Sequence, residues 1–383
     1  MKILLPLAVV AALAGCAGPG AGPRTSHAQA SARPDSVATG SAAGQTATKP
    51  SGPLYAVLEG ADLDVGAGAD TVAIVGRDGH AVAKARFQPR RAPQLGNVAV
   101  MLQSEAQVGD AGVYYMDGSG VIRLLKPSGD VTTVATFPMT PDQHEAWYAV
   151  SPDGSRVLAG ILTAPRTGPP VGGTPWPSLV GNWTFDLETA PAGGPTRVLQ
   201  HIESPDWPGD SWRTIFPVGW TQAGPVAMVG APLATQNAWW GGPLFSIDEG
   251  GQPTTRVGGG DCSAARILPT GLVPCISGGF TAPAVSVRDS SGRVLWSPAV
   301  DSFSALGLRL AADGSAIAIG RSAANHTKQV MLPDGFTAEG WLDSETVVGR
   351  RSGASLSSVR LDSPATMHDL GFRGDFVGML PGH

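Results

Sequence analysis

The chain has 383 residues, of which 42% are hydrophobic and 15% are charged, and its formal net charge at pH 7 is -5. Its 52 glycines and 33 prolines exceed average usage, but glycine has no fixed period and apolar runs are frequent, so collagen and wholesale disorder are excluded. Lys and Arg form no cluster of the kind that phosphate binding requires, which argues against nucleic acid as a partner. The composition is typical of a turn-rich β protein.

The chain opens with a segment that is typical of secretion signals. Lys2 precedes an apolar stretch of about 12 residues that runs to Ala14, whereas a helix that spans the hydrocarbon core of a bilayer needs about 20. Small residues follow at the positions that a signal peptidase must bind. The pattern predicts a signal peptide over residues 1–15.

The end of this segment, Leu13-Ala14-Gly15-Cys16, resembles the lipobox of bacterial lipoproteins. The resemblance implies that Cys16 is acylated and becomes the first residue of the mature chain. Lipid would then hold the protein at the cell membrane on the extracytoplasmic side, because each buried CH₂ group contributes about 0.8 kcal/mol to membrane binding. An ordinary signal peptide with a chance cysteine and a buried first helix are the alternatives.

Residues 16–52 form a second compositional segment. After Cys16 they are almost entirely Ala, Gly, Ser, Thr and Pro, with no Phe, Tyr or Trp. Such a composition cannot bury a core, so we expect a flexible tether here and a folded domain over residues 53–383.

The folded domain shows strand patterns throughout. From Leu54 onward, apolar or alternating runs of about 5 to 8 residues are separated by Asp-Gly, Ser-Gly and Gly-Gly turns. Long helices are not expected, because no run of about 12 residues keeps a 3.6-residue period without Gly or Pro. Four strands repeated about every 40 to 45 residues are the signature of a propeller. We therefore predict an all-β fold, a β-propeller.

The runs group into units of four strands. The predicted units are 97–102, 113–116, 121–124 and 131–137; then 146–151, 156–161, 183–187 and 196–202; then 215–220, 225–229, 244–248 and 254–257; then 264–268, 272–276, 284–288 and 293–296. An Asp-Gly turn recurs at 311–314, and Gly340-Trp341 repeats Gly219-Trp220.

The string Ser151-Pro152-Asp153-Gly154-Ser155-Arg156-Val157-Leu158 resembles the repeat of TolB-like, WD-repeat-like propellers. In that family the turn joins the two innermost strands of a blade. The resemblance covers most of 54–383 and implies an architecture, because such propellers serve many unrelated functions.

The two ends of the domain are expected to share a blade. The runs 54–58, 71–76 and 81–87 supply three strands, and the run 375–380 supplies one. Closure of this kind removes exposed sheet edges. We predict seven blades, with six as the alternative, because the unit over 305–334 shows no outer strand.

Two cysteines remain after Cys16. An exported pair is expected to oxidise, and a disulfide between Cys262 and Cys275 closes a loop of about 12 residues, which stabilises by about 3 kcal/mol. Two reduced buried thiols are the alternative.

Motifs of enzymes are missing from the sequence. It contains no GxSxG and no HExxH, and His144-Glu145 is followed by Ala-Trp-Tyr. We accordingly predict no catalytic residues, no metal site and no cofactor.

Three long connections, 163–181, 201–213 and 231–243, are rich in Trp. In the predicted strand order they emerge on the same face of the propeller, where insertions on a rigid scaffold usually carry function. Trp suits both protein hot spots and stacking on sugar rings, although these side chains can instead cap their own loops. The predicted partner-binding residues are Trp176, Trp207, Trp212, Trp239, Trp240, Arg166, Asp206, Asp210 and Asn237.

Another four Trp residues lie in predicted strands and are expected in the core: Trp147, Trp220, Trp296 and Trp341.

The sequence thus predicts a membrane-anchored, extracytoplasmic propeller lipoprotein that is a non-catalytic binding or scaffold module for an envelope protein or glycan. One alternative is a propeller enzyme of hydrolase or lactonase type with a site in the central channel. Another is a purely structural accessory subunit in which the Trp-rich connections are incidental.

Overall fold

The structure of the protein is a computed structural model. It describes residues 52–59, 70–88, 106–139, 144–163, 166–170, 177–180, 182–204, 214–230, 241–278, 283–299 and 307–381, with only the backbone described at 144–145, 166–170, 177–180 and 204. All of them belong to the second of two units, Met1–Lys49 and Pro50–His383. The predicted signal peptide, Cys16 and the tether up to residue 51 lie outside the described residues.

The described residues form strands and turns and no α-helix. The strands are β1 (Leu54–Glu59), β2 (Asp70–Gly76), β3 (Ala81–Phe87), β4 (Ala106–Gly109), β5 (Gly112–Met116), β6 (Val121–Leu125), β7 (Val131–Thr136), β8 (His144–Val150), β9 (Arg156–Thr163), β10 (Arg166–Pro170), β11 (Pro177–Val180), β12 (Trp183–Pro191), β13 (Arg197–Ser204), β14 (Ile215–Thr221), β15 (Gly224–Val229), β16 (Leu244–Ile247), β17 (Pro253–Val257), β18 (Val273–Ser277), β19 (Ala284–Arg288), β20 (Val294–Trp296), β21 (Arg309–Leu310), β22 (Ala316–Ile319), β23 (Ser322–Asn325), β24 (Gln329–Met331), β25 (Phe336–Asp343), β26 (Thr346–Arg351), β27 (Ser357–Arg360), β28 (Met367–Asp369) and β29 (Asp375–Met379). Within the described ranges, no helix has the length and apolar character needed to cross a membrane.

These strands build seven antiparallel blades. From the inner to the outer strand, the blades are β29-β1-β2-β3, β4-β5-β6-β7, β8-β9-β12-β13, β14-β15-β16-β17, β18-β19-β20, β21-β22-β23-β24 and β25-β26-β27-β28, numbered 1 to 7 in that order. A separate hairpin, β10-β11, lies in the connection between β9 and β12. The predicted all-β, seven-bladed architecture is confirmed.

The hydrophobic core is divided among the blade interfaces. In the part of the chain that the structure describes, seven clusters of buried side chains each join one blade to the next. The cluster between blades 3 and 4 is the most aromatic example, with the Phe216 ring 4.4 Å from Trp147 and 5.3 Å from Phe185. The ring is closed because one of these clusters joins blade 7 to blade 1.

Blade 1 joins the two ends of the domain, as the sequence predicts. β29 pairs antiparallel with β1, with Leu58 opposite Asp375 and Tyr55 opposite Met379. A backbone hydrogen bond of 2.9 Å from Leu380 N to Leu54 O extends the pairing. The last strand of the chain is therefore the inner strand of the blade that the first three strands begin.

The inner strand of blade 2 differs from the prediction. It is β4, residues 106–109, instead of the run 97–102, which lies outside the described residues. β4 faces Gly112–Tyr115 of β5 across a tight turn. Of its four residues only Ala106 is buried, so apolar alternation could not reveal it.

Two further units differ from the prediction. The run 264–268 is not a strand: Ser263 bridges Ile276, while Ala264 exchanges both backbone hydrogen bonds with Gly242 of the preceding connection. Blade 6 does have an outer strand, β24, but its three residues are too few to show a pattern.

The Asp-Gly turns join the inner two strands of blades 3 and 6. Asp153 Oδ1 accepts hydrogen bonds from Ser151 Oγ, Ser155 N and Ser155 Oγ at 2.6 to 3.0 Å. These bonds, that of the Ser151 hydroxyl foremost, lower the pKa of Asp153 to about 2. In blade 6, Asp313 Oδ1 accepts the corresponding bonds from Ser315 N and Oγ, while Ala311 stands where blade 3 has Ser151.

Three of the four Trp residues predicted in the core are buried: Trp147, Trp220 and Trp341. Trp296 is only partly buried, and its ring lies 4.7 Å from that of His326. In both Gly-Trp pairs a register shift precedes the Trp, and the Gly lets the next inner segment approach closely: a Cβ on Gly219 would lie 2.7 Å from Ile267 Cγ2.

The predicted disulfide is present between Cys262 and Cys275. Both residues are buried in the cluster between blades 4 and 5, next to the irregular segment that precedes β18. The bond ties that segment to β18 where strand pairing is sparse.

Candidate binding face and central channel

The strand order defines two faces of the ring. We call the face at which the inner strands of blades 1 to 4, 6 and 7 begin the upper face and the opposite one the lower face; in blade 5, the segment before β18 has the inner position. Because adjacent strands are antiparallel, connections from a second to a third strand and from one blade to the next lie at the upper face. The three Trp-rich connections link β9 to β12, β13 to β14 and β15 to β16, and therefore all start and end there.

Eight of the nine predicted partner-binding residues lie outside the part of the chain that the structure describes. Outside the described residues are Trp176, Trp207, Trp212, Trp239, Trp240, Asp206, Asp210 and Asn237. Arg166 begins β10 and pairs with Val180, but only its backbone is described. That these side chains form one surface stays a prediction.

A groove lies between the outer strand of blade 3 and blade 4. It has a volume of about 400 Å³, and its lining includes His201, Ile215 and Val229. Ile215 begins β14 and Val229 ends β15, so the upper end of the groove adjoins two of the Trp-rich connections. His201 Nδ1 lies 2.6 Å from Asp186 Oδ1, so a polar pair lies beside the apolar side chains of the groove.

The inner strands carry a charged cluster that our sequence reasoning missed. Arg309 begins β21, Glu339 lies in β25 and Asp375 begins β29. Arg350, from the second strand of blade 7, pairs with the two carboxylates. Arg266 lies in residues 263–268, the inner segment of blade 5, which is joined to β18 by backbone hydrogen bonds between Ser263 and Ile276 and, next to the start of β18, by one from Leu268 N to Leu272 O. Inner strands line the channel of a propeller and begin at its upper face, so Arg309 and Asp375 lie near the upper mouth of the channel.

Arg350 organises the acidic half of this cluster. Its Nε lies 2.9 Å from Glu339 Oε1, its Nη1 donates to Gly374 O at 3.0 Å, and its Nη2 pairs with Asp375. The backbone N–H of Phe376 donates to Glu339 Oε2 at 2.8 Å. Glu339 thus bridges the inner strands of blades 7 and 1, with 13% of its side chain exposed.

Burial shifts the pKa values of the cluster. It raises the pKa of Glu339 to about 7, although the Phe376 N–H and the charge of Arg350 act in the opposite direction. Burial lowers the pKa of Arg309 against the attraction of Glu339 and Asp375. Burial and then the like charge of Arg309 hold the pKa of Arg266 well below its ordinary value. Water therefore reaches these guanidinium groups poorly, although both side chains keep some exposed surface.

A sequence signal for this cluster did exist. Arg309 and Glu339 interrupt apolar runs at inner-strand positions of consecutive blades, but they are recognisable only once the blades are aligned. In the described part of the chain, no three His, Cys, Asp or Glu residues are grouped so that they could hold a metal ion.

No family model matches the sequence, and no curated protein matches it. Solved structures similar to it include TolB from Acinetobacter baumannii, with 12% identity over 86% of this chain and a TM-score of 0.40. The chain spans 66% of the length of that TolB chain. A protein from Lactobacillus plantarum has 12% identity over 85% of this chain and 98% of its own, with a TM-score of 0.41. An oligogalacturonate lyase from Vibrio parahaemolyticus has 8% identity over 78% of this chain and 93% of its own, with a TM-score of 0.40.

The class of the protein follows from its own sheets and interfaces. Seven blades packed pairwise in a ring, closed by a blade that contains strands from both ends, make the domain a seven-bladed β-propeller.

Proposed function

We propose that the protein is a non-catalytic binding module, held at the extracytoplasmic side of the cell membrane by lipid on Cys16, which binds an envelope protein or glycan at its upper face. The strand order carries this proposal, because all three Trp-rich connections start and end at that face. A closed ring with a hydrophobic cluster at each interface is the rigid support that binding loops need.

Two further features support the choice of face. The groove between blades 3 and 4 adjoins two of these connections and offers both apolar and polar walls. The first strand of the domain, β1, begins at Leu54 beside the lower end of β29, so the start of the domain and the Trp-rich connections are at opposite faces of the ring.

Affinity capture from solubilised envelope tests the binding face. The full chain is compared with a variant in which Trp207, Trp239 and Trp240 are changed to Ala, after circular dichroism has shown that the variant is folded. The matched control changes Asp130 and Glu249 to Ala, since both are exposed in turns at the lower face. A partner retained by the wild type and the control but lost by the Trp variant is the expected result.

Other outcomes of the capture identify the competing functions. A partner that all three proteins retain would refute the upper-face assignment and favour an accessory subunit. Cleavage of an envelope glycan by the purified protein would favour the propeller enzyme.

The anchor is tested separately with Cys16→Ser. This variant is expected to leave the membrane fraction and to lose incorporation of labelled palmitate. Membrane association at the wild-type level in the variant would refute lipid attachment at Cys16.

A further inference from the structure

We propose that Arg266 and Arg309 form a binding site for an oxyanion, a carboxylate or phosphate group of a ligand, in the central channel. The site goes beyond the proposed function and does not depend on the Trp-rich connections. Arg266 belongs to the inner segment of blade 5 and Arg309 to the inner strand of blade 6, so consecutive blades supply the two guanidinium groups.

The hydrogen bonding of Arg266 is the main observation. Its Nε is buried and has no hydrogen-bond partner within the part of the chain that the structure describes. Buried donors of folded proteins are almost always paired, and a charged donor is the most costly to leave without an acceptor. An acceptor supplied by a ligand satisfies this group.

The charges around the two arginines favour an anion. Among the described residues, the like charge of Arg309 acts on Arg266, and burial is the larger effect on the pKa of Arg266. Glu339 and Asp375 attract Arg309, but both carboxylates also bind Arg350, so one guanidinium already shares their negative charge. Within the described residues, the cluster is therefore richest in positive charge at its blade 5 end.

The chemistry of the guanidinium group defines the ligand class. It is planar and presents parallel N–H donors that match the two oxygens of a carboxylate or phosphate. Poor access of water strengthens such a pair, because competing hydration is weak in a partly buried site. Acetate and inorganic phosphate are the simplest probes of the two kinds of oxyanion.

The test is a titration of the purified full-length protein with acetate and, separately, with inorganic phosphate at constant ionic strength. Isothermal calorimetry and the thermal midpoint are the readouts. We expect saturable binding of at least one anion to the wild type, weakened at least tenfold in Arg266→Gln. Arg293→Gln is the matched control, since Arg293 is exposed in the same blade and pairs with Asp289; we expect it to bind as the wild type does.

A second variant keeps the test decisive if Arg266→Gln does not fold. Arg266→Lys retains a charge but lacks Nε and the planar fork, and is expected to weaken binding severalfold. In wild-type protein labelled with ¹⁵N-arginine, one Nε–H resonance, absent from the Lys variant, should move with the same titration midpoint. No saturable binding of either anion to the wild type, or equal affinity in the Arg266 variants, would overturn the proposal.

Discussion

Glu339 makes a pH-dependent contribution to the free energy of unfolding of the protein. Its pKa of about 7 in the folded state lies above the ordinary value of 4.5. Between these values the folded state holds a proton that the unfolded state has released, so the free energy of unfolding falls as pH rises. The contribution is complete below about pH 4.5 and is lost as pH rises through about 7. The groups that act on Glu339 are Arg309 from β21, Arg350 from β26 and Asp375 from β29.

The size of the effect follows from the shift. One pKa unit corresponds to about 1.4 kcal/mol, so a change from 4.5 to about 7 makes the wild type less stable by up to about 3 kcal/mol across this range. With 13% of the side chain exposed, little of this is lost to solvent screening. Glu339→Gln removes the titration while its amide oxygen can still accept the Phe376 N–H.

Urea unfolding of the wild type and Glu339→Gln, followed by Trp fluorescence at several pH values from 4.5 to 8, measures the effect. The difference in unfolding free energy between the two proteins should change by about 2 to 3 kcal/mol, because the wild type becomes less stable relative to the variant as pH rises. Glu249→Gln, at an exposed turn, is the matched control for a change of Glu to Gln. A constant difference between the wild type and Glu339→Gln across this pH range would refute the reasoning that burial governs the Glu339 carboxyl.

Two further predictions concern the packing of the ring. Changing both Cys262 and Cys275 to Ser should lower the free energy of unfolding by about 3 kcal/mol in denaturant titrations. Dithiothreitol should lower the unfolding free energy of the wild type and leave that of the double variant unchanged. Gly340→Ala should lower it by about 1 to 3 kcal/mol, because the added methyl overlaps the Phe376 ring of the next inner strand. Gly260→Ala, which adds a methyl to open space, should be close to neutral, and an equal loss in both variants would contradict the packing argument.

The architecture was predictable because it depends on local patterns that repeat. Alternating runs and Asp-Gly turns located most strands of blades 3 and 4, and the terminal runs indicated the shared blade. The failures fall on short or irregular strands: the four residues of β4, the three of β24, and the segment at Ala264. Their pairing is decided by backbone contacts with neighbouring segments, which side-chain alternation does not encode.

The candidate site was predictable only in part, for a different reason. The Trp-rich connections can be recognised in the sequence itself, and the strand order assigns their ends to one face. Arg266, Arg309, Glu339 and Asp375 are far apart in sequence, and only ring closure brings their strands around one channel. The unsatisfied Nε of Arg266 is a property of the folded state and has no counterpart in the sequence.

The shared blade also sets the timing of folding. β1, β2 and β3 are the first strands of the domain to be synthesised, whereas their inner partner β29 comes last. Until Asp375–Met379 arrives, the open edge of β1 exposes unpaired N–H and C=O groups, a template for pairing with another chain. A chain interrupted before residue 375 therefore keeps the unpaired edge of β1. A protease or chaperone that binds exposed strand edges can distinguish such an incomplete propeller from the closed one.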